Sequence, residues 1–313
     1  MGKIVTVTIN PVVDKSTSVA GIAPEKKLRC EQPRFEPGGG GINVARAIKK
    51  LGGDALAIYT SGGYTGRFLN DLLHQEEIQT RIIETQNYTR ENLIVLDTNT
   101  NQQYRFGMPG STILEEEWKA CLQSIEEENE LDYIVASGSL APGVPTDIYA
   151  QIAAIAKRKG ARLIVDTSGE ALQAAADEGI FLLKPNLAEL SSLAGREEIH
   201  AELVDDVARE IISKGNCEVV VVSLGAAGAM LVTANEIYQA TPPAVKKRST
   251  VGAGDSMVAG IVLSLSKGWE LKDALRYGVA TGTAATMNNG TELCKLKDVE
   301  CLFPLIRAIK INE

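Results

Sequence analysis

A glycine-rich segment with a single carboxylate, residues 249–256, is the part of this sequence best suited to chemistry. It reads Ser-Thr-Val-Gly-Ala-Gly-Asp-Ser and leads into a helical pattern of apolar residues over Ser256–Lys267. Glycines before a helix turn backbone N–H groups toward one point, and together with the helix dipole these groups attract a phosphate. Because Asp255 would repel that phosphate, we interpret it as a general base that deprotonates an attacking hydroxyl. A helix-capping Asp is the alternative.

A second glycine cluster, Pro37–Asn43, opens another helical pattern. It differs from the dinucleotide fingerprint G-x-G-x-x-G because Asn43 or Val44 occupies the third glycine position, and the chain has no G-x-x-x-x-G-K-[ST] segment. These departures count against a dinucleotide oxidoreductase and a P-loop enzyme. Four consecutive glycines let a polyol lie on backbone N–H groups, with Asn43 donating and accepting hydrogen bonds beside it. A plain flexible loop is the alternative.

Four charged residues could hold an anionic polyol. Asp14 follows the first strand and could accept hydrogen bonds from hydroxyl groups. Lys27 and Arg29 stand two residues apart, which on an extended strand places both on one face. Together with Arg90 they could make charge-assisted contacts with an anion. A loop Asp and solvated basic residues are the alternatives.

Further polar groups follow other predicted strands. Asn186 and Glu189 are three residues apart on the first turn of a helix, and their oxygens suit Mg²⁺. The same spacing matches a capping box, which is the alternative. Residues 223–228 offer a glycine-rich turn for nucleotide phosphates, and Gly138–Leu140 and Asp166–Ser168 end strands at the same edge.

Composition limits the class of protein. The chain has 313 residues, a net charge of −8 and no basic block, which argues against a nucleic-acid surface. Five scattered cysteines and only two histidines argue against a zinc site and a disulfide framework, so cytosolic thiols are expected. We see no signal-peptide core and no apolar run of membrane-spanning length. The sequence therefore predicts a cytoplasmic protein with no nucleic-acid or membrane partner.

Strand and helix patterns alternate along most of the chain. Such alternation predicts an α/β fold with a doubly wound, mostly parallel sheet and helices on both faces, in one domain over residues 1–313. The predicted strands are Ile4–Ile9, Ala55–Tyr59, Tyr133–Ala136, Leu163–Val165, Phe181–Leu183 and Val219–Val222. The predicted helices are Asn43–Leu51, Leu114–Glu127, Thr146–Lys159, Glu202–Lys214, Ser256–Lys267 and Leu271–Asn288.

Two segments, residues 11–36 and 89–110, break the alternation. The second reads as strands Asn92–Asp97 and Gln103–Phe106 around a turn at Asn99–Asn101. Strands outside the main sheet need another surface to cover them, so we expect a small β lid over the site or a dimer contact. A surface hairpin is the alternative.

With these motifs in this order, the sequence resembles the PfkB sugar kinases of the ribokinase-like fold, over Thr6 to about Leu293. Residues 37–43 resemble the first family signature, residues 249–256 the second, and Asn186-x-x-Glu189 the magnesium motif. Residues 27–30, 35–41 and 103–106 are similar to the bacterial minor-isozyme 6-phosphofructokinases. The resemblance implies ATP-dependent phosphorylation of the 1-hydroxyl of fructose 6-phosphate in glycolysis, by a homodimer joined through the lid.

The resemblance also implies a role for each matching residue. Asp255 would be the base, with the amides of Gly252, Ala253 and Gly254 as the anion hole for the transferred phosphoryl group. The substrate residues would be Asp14, Lys27, Arg29, Gly39, Gly40, Asn43, Arg90 and Ser139, of which Lys27 and Arg90 hold the 6-phosphate. The ATP residues would be Lys184, Asn186, Ser223, Gly225, Gly228 and Asn288, with Glu189 organising Mg²⁺ through water. A K⁺ ion would lie near Ser249, Val251, Asn288 and Gly290.

Three rival functions stay open at this point. Related 1-phosphofructokinases and tagatose-6-phosphate kinases usually carry Lys at the third position of the glycine run, where this chain has Gly40. A non-catalytic ligand sensor on a kinase fold is the alternative outside enzymes.

The chain departs from the resembled isozymes at one position of the lid. Ala23 stands where those isozymes have a Tyr that reaches the neighbouring subunit.

Overall fold

The computed structural model describes residues 2–311, which form two β-sheets. Short apolar runs rich in Val and Ile form most strands, because such side chains pack well on a buried, pleated surface. The strands are, in chain order, β1 Lys3–Thr8, β2 Val12–Val19, β3 Arg34–Gly38, β4 Leu56–Gly62, β5 Gln79–Thr85, β6 Arg90–Asp97, β7 Gln102–Phe106, β8 Leu131–Ser137, β9 Arg162–Asp166, β10 Ile180–Leu183, β11 Cys217–Ser223, β12 Ala229–Val232, β13 Ile237–Thr241 and β14 Arg307–Lys310.

Helices cover both faces of the larger sheet. In most of them the apolar residues recur with a helical period, so one side faces the strands, whereas α8 is buried throughout Ser256–Ser266. The helices are, in chain order, α1 Gly40–Lys50, α2 Gly63–Gln75, α3 Glu115–Glu127, α4 Ile148–Lys159, α5 Gly169–Asp177, α6 Leu187–Leu193, α7 Val204–Ser213, α8 Ala253–Ser266, α9 Leu271–Thr286 and α10 Leu296–Leu302.

The larger sheet has ten strands in the order β14-β13-β12-β11-β10-β9-β8-β1-β4-β5. Strands β11 to β5 in that order are parallel, whereas β12, β13 and β14 add antiparallel neighbours at one edge. Side chains that alternate along the central strands point to opposite faces of the sheet and form two cores. One core lies beneath α1, α8 and α9, and the other lies beneath α3, α4 and α7. The predicted doubly wound, mostly parallel sheet is therefore confirmed.

The strand order changes direction at β1. Strands β4 and β5 lie on one side of it, and β8 to β11 lie on the other. At such a switch point the loops that follow the two central strands diverge and leave a crevice at their carboxyl ends. Asn10 follows β1, Ser139 follows β8, and the Asn10 Nδ2 donates to the Ser139 Oγ at 3.2 Å across this crevice.

The smaller sheet has the order β3-β2-β6-β7. Strand β2 is antiparallel to β3 and parallel to β6, and β6 and β7 form an antiparallel hairpin. The strands predicted outside the main sheet therefore exist, and they pair with one another rather than forming a lone hairpin. We call this sheet the β lid. It joins the core next to the crevice, because β2 follows β1 and β3 leads directly into α1.

Both glycine-rich helices begin earlier than predicted. Helix α1 begins at Gly40 rather than Asn43, and α8 begins at Ala253 rather than Ser256. The glycines thus form the first turns of these helices. Within residues 2–311, no helix combines the length and the apolar character needed to cross a membrane.

Candidate active site

The amino-terminal turn of α8 lies at the centre of the site. Gly252 caps the helix in a left-handed conformation (φ 71°), and a Cβ on it would lie 2.6 Å from the Leu293 side chain. Among the described residues, the amides of Gly252 and Gly254 have no protein acceptor, whereas the Ala253 amide donates weakly to the Thr250 carbonyl at 3.4 Å. Two unpaired N–H groups at a helix start can bind an anion.

Asp255 stands in this first turn, but it does not cap the helix. Its Oδ2 accepts a 2.9 Å hydrogen bond from the Nδ2 of Asn43 in α1. Burial raises the pKa of Asp255 to about 6, and the neighbouring Asp166 carboxylate adds to the rise, whereas Asn43 and Lys184 oppose it. A carboxylate with such a pKa can accept a proton near neutral pH.

Lys184 extends the anion site beyond the helix. Its Nζ forms a buried ion pair with the Asp166 Oδ1 at 3.0 Å, and a Cβ on Gly254 would lie 3.5 Å from that Nζ. Burial opposes the charge of Lys184, but the carboxylates of Asp166, Glu189 and Asp255 outweigh it, so the pKa of Lys184 is raised. Lys184 is therefore a fixed cation beside the anion site. Asp166 ends β9 and was noted in the sequence only as a strand end.

The β lid places Asp14 and Arg90 together at the crevice. Asp14 of β2 accepts a 3.0 Å hydrogen bond from the Asn92 Nδ2 on the paired strand β6, and the Asn92 Oδ1 accepts from the Met108 amide. Burial raises the pKa of Asp14, and the nearby Arg90 opposes the rise. Arg90 donates to the carbonyls of Asn10 and Met108, and burial lowers the pKa of its guanidinium. Sequence reasoning missed Asn92.

Lys27 and Arg29 do not lie with Asp14 and Arg90 in this structure. Residues 20–33 form an irregular loop between β2 and β3. The prediction of an extended strand at Lys27 and Arg29 is therefore wrong. Both side chains are exposed, and neither forms an ion pair within residues 2–311. The pairing of β2 with the five-residue β3 ends at Ser16 and Arg34, and the turn at residues 24–26 follows before the chain reaches them.

The glycine run is pressed against the loop after β8. A Cβ on Gly40 would meet the Ser137 side chain and would lie 2.7 Å from the Gly138 backbone nitrogen. Gly39 caps α1 with φ 113°, where a Cβ would lie 2.7 Å from the Thr8 side chain. Only glycine fits at these two positions, because the start of α1 lies directly against Thr8 and the loop after β8.

The loops after β10 and β11 lie side by side. The Pro185 carbonyl accepts from the Ser223 amide at 2.9 Å, and a one-residue bridge joins Asn186 to Ser223. The turn Gly225–Ala227 follows, and a Cβ on Gly228 would strike the Ala240 carbonyl. The proposed nucleotide residues from these two loops therefore share one region.

Asn186 and Glu189 form a complete capping box. The Asn186 Oδ1 accepts from the Glu189 amide, and the Glu189 Oε2 accepts from the Asn186 amide, both at 2.9 Å. The box uses one carboxylate oxygen and leaves Oε1 for another partner. Burial raises the pKa of Glu189, and Asp166 adds to this rise. The capping role is thus present, and it leaves an oxygen through which a hydrated Mg²⁺ fits.

Two loops near α8 are joined at the positions suggested for K⁺. The Ser249 Oγ donates to the Gly290 carbonyl at 2.6 Å and accepts from the Val251 amide at 3.2 Å. Asn288 is buried, and its Nδ2 donates to the Leu293 and Ala284 carbonyls. Its side-chain N–H₂ is thus used within the loop, and its Oδ1 is left for a ligand. Ser249, Val251 and Gly290, three of the positions suggested for K⁺, are therefore directly connected.

Comparison with known proteins agrees with this geometry. The model of the pfkB family carbohydrate kinases matches residues 3–298. The chain is 46% identical over 304 residues to ATP-dependent 6-phosphofructokinase isozyme 2 of Escherichia coli (strain K12), covering 97% of this chain and 98% of that protein. Crystal structures of Escherichia coli phosphofructokinase-2 with potassium and with fructose-6-phosphate superpose with TM-scores of 0.94 and 0.92, at 45% and 44% identity, and each covers 97% of this chain and 99% of that one.

A second group of relatives carries a different name. The 1-phosphofructokinase of Bacillus subtilis (strain 168) is 34% identical over 308 residues, covering 98% of this chain and 100% of that protein. The family model, the shared fold and a carboxylate beside two free amides at the start of α8 all agree. The chain therefore belongs to the pfkB family of carbohydrate kinases.

Proposed function

We propose that this protein transfers the γ-phosphoryl group of ATP to the 1-hydroxyl of fructose 6-phosphate, forming fructose 1,6-bisphosphate and ADP. The observation that carries the proposal is the Asp255 carboxylate, held by Asn43 between the sugar crevice and the free amides of α8. The high identity to an ATP-dependent 6-phosphofructokinase supports the choice of reaction.

In this mechanism the protein mainly positions groups and stabilises charge, as is usual for phosphoryl transfer. Asp255 takes the proton from the 1-hydroxyl as its oxygen attacks the γ-phosphorus. The bond between that phosphorus and the ADP oxygen breaks at the same centre. The amides of Gly252 and Gly254 and the Lys184 ammonium stabilise the negative charge of the transferred group. The Ala253 amide joins them if its weak bond to Thr250 opens.

The sugar would be held from both sheets. Asp14, oriented by Asn92, accepts hydrogen bonds from sugar hydroxyls, and the backbone at Gly39 and the side chains of Asn43 and Ser139 complete the crevice. Arg90 acts electrostatically on Asp14 and lies on the strand paired with β2, and it would bind the 6-phosphate. Lys27 and Arg29 lie on the exposed loop of the β lid, and they would contact the phosphate only if that loop folded over the substrate.

The packing at Gly40 favours fructose 6-phosphate over fructose 1-phosphate. A 1-phosphofructokinase would use a Lys at this position, but any side chain here meets Ser137 and the Gly138 nitrogen. The phosphate site is therefore built from lid residues instead. A tagatose-6-phosphate kinase stays the second candidate, because tagatose 6-phosphate differs only at C4 and one hydrogen bond distinguishes it by about 1–3 kcal/mol.

ATP would lie across the loops after β10 and β11. Asn186 is bridged to Ser223 there, Lys184 supplies a buried cation beside Asp166, and the backbone of Gly225 and Gly228 would lie against the triphosphate. When bound, Mg²⁺ neutralises the phosphate oxygens, and Glu189 would hold its water through Oε1.

K⁺ would lie among the oxygens of Ser249, Val251, Asn288 and Gly290. Replacing K⁺ by tetramethylammonium should then lower kcat, and an unchanged kcat would exclude a functional K⁺.

The β lid would also form a homodimer. Strand β7 is exposed along its whole length, and Tyr104, Phe106 and Leu28 leave apolar surface uncovered on this sheet. An exposed apolar edge strand is normally covered by another chain.

Sedimentation equilibrium should give twice the chain mass, and Phe106→Lys should reduce it. A monomer at micromolar concentration would remove this part of the proposal.

Replacing the base should abolish turnover without unfolding the protein. Asp255→Asn should lower kcat at least about 100-fold, because proton removal loses its acceptor. Asp206→Asn, in the first turn of α7, is the matched control with the same change of charge and should keep normal kcat. The melting temperature of Asp255→Asn at pH 8 should not fall, since a buried carboxylate with a raised pKa opposes folding when ionised. Near-normal turnover by Asp255→Asn would exclude Asp255 as the base.

The pH dependence should report the same group. Because Asp255 must be ionised to accept a proton and its pKa in the free protein is raised to about 6, kcat/KM should fall below about pH 6, tenfold per unit. The residual rate of Asp255→Asn should lack this limb, which separates Asp255 from ionisation of the sugar phosphate. A wild-type limb near pH 4 would contradict the assignment.

The substrate is tested by measuring ATP-dependent kcat/KM on fructose 6-phosphate, tagatose 6-phosphate, fructose 1-phosphate and free fructose. Fructose 6-phosphate should give the highest value. Preference for fructose 1-phosphate would show that the phosphate does not bind at Arg90. Saturable binding of a sugar phosphate with no transfer from ATP would indicate the non-catalytic sensor.

A further inference from the structure

A buried arginine stands directly behind the proposed base. Arg46 lies in α1, three residues after Asn43, and its side chain is only 3% exposed. Its Nε and Nη2 donate to the two carboxylate oxygens of Glu76 at 2.8 and 2.6 Å. Its Nη1 donates to the Pro37 carbonyl at 2.7 Å and to the Asn43 Oδ1 at 3.3 Å. The paired bonds to Glu76 fix the plane of the guanidinium, so the direction of Nη1 is fixed too.

The Asn43 amide therefore lies between a donor and an acceptor. Its Oδ1 faces the Arg46 Nη1, and its Nδ2 faces the Asp255 Oδ2 at 2.9 Å. If the amide turned over, its N–H₂ would face the arginine N–H and its oxygen would face the carboxylate. Both contacts would be repulsive. Arg46 thus favours the single orientation in which Asn43 donates to Asp255.

We propose that Arg46 is a positioning residue for phosphoryl transfer, which holds Asn43 so that its amide fixes the Asp255 carboxylate toward the attacking hydroxyl. The proposal rests on the proposed function, in which Asp255 is the base. Arg46 touches neither substrate nor the reacting atoms in this account.

The charges around Asp255 show why Arg46 acts through Asn43. The groups that most affect this carboxylate are Asp166 and Asp14, which raise its pKa, and Lys184 and the Asn43 amide, which lower it. Arg46 is not among these groups, and its guanidinium is paired with Glu76, with Glu36 3.8 Å from its Nη2. Its charge does act on Asp14, whose pKa it lowers. The contact that joins Arg46 to the base is the hydrogen-bonded Asn43 side chain.

A double-mutant cycle tests this path. Arg46→Lys keeps the charge but cannot form the planar fork, and it should lower kcat on fructose 6-phosphate about tenfold while KM changes less than about threefold. In an Asn43→Ala background the same substitution should lower kcat less than about twofold, because the residue through which Arg46 acts is gone. Equal losses in both backgrounds would overturn the proposal.

Glu76→Gln weakens the paired hydrogen bonds between Arg46 and Glu76, and it should lower kcat in the same way but less than Arg46→Lys. This variant tests the proposal if Arg46→Lys does not fold.

Two further measurements separate positioning from general stability. Arg276→Lys is the control, since Arg276 also donates to a carboxylate and a carbonyl, those of Asp273 and Ile306, and it should keep normal kcat. Without substrate, carbon-13 NMR of the carboxyl groups, assigned with Asp255→Asn, should show a higher pKa for Asp255 in Arg46→Lys. An unchanged pKa would overturn the proposal, whereas an inactive wild type with this shift present would refute only the proposed function.

Discussion

A carboxylate withdrawn from water beside an anion site is the constraint on which this structure depends. Burial and the neighbouring Asp166 disfavour the ionised form of Asp255, and the Asn43 amide and the Lys184 ammonium oppose them. These groups come from α8, β9, α1 and the loop after β10, far apart in the chain. The parallel sheet brings them together because the carboxyl ends of its strands meet at one edge.

The second requirement is that two sheets meet at this edge. The base and the anion site belong to the large sheet and its helices, whereas Asp14, Asn92 and Arg90 belong to the β lid. Strand β2 leaves the core next to Asn10, and β3 returns to it at the glycine run, so any movement of the β lid shifts the sugar residues relative to Asp255. Positioning of this kind accounts for much of the rate of phosphoryl transfer.

The sequence predicted the fold and the centre of the site because both depend on local patterns. Buried strands read as apolar runs, and glycines beside Asp255 and Asn43 mark helix starts where a backbone must approach a ligand. Strand β5 was missed since most of its side chains are partly or fully exposed and it shows no apolar run. Asn92 was missed because its role follows only from the pairing of β2 with β6. The conformation of the loop that carries Lys27 was predicted wrongly as a strand, because an irregular loop carries no periodic signal.

The most direct measurement is a crystal structure with fructose 6-phosphate and a non-hydrolysable ATP analogue. The account predicts that the sugar O1 lies within about 2.6–3.2 Å of an Asp255 carboxylate oxygen and points at the γ-phosphorus, with the 6-phosphate at Arg90. A complex in which another hydroxyl faces Asp255, or in which the 6-phosphate lies at the glycine run, would contradict it.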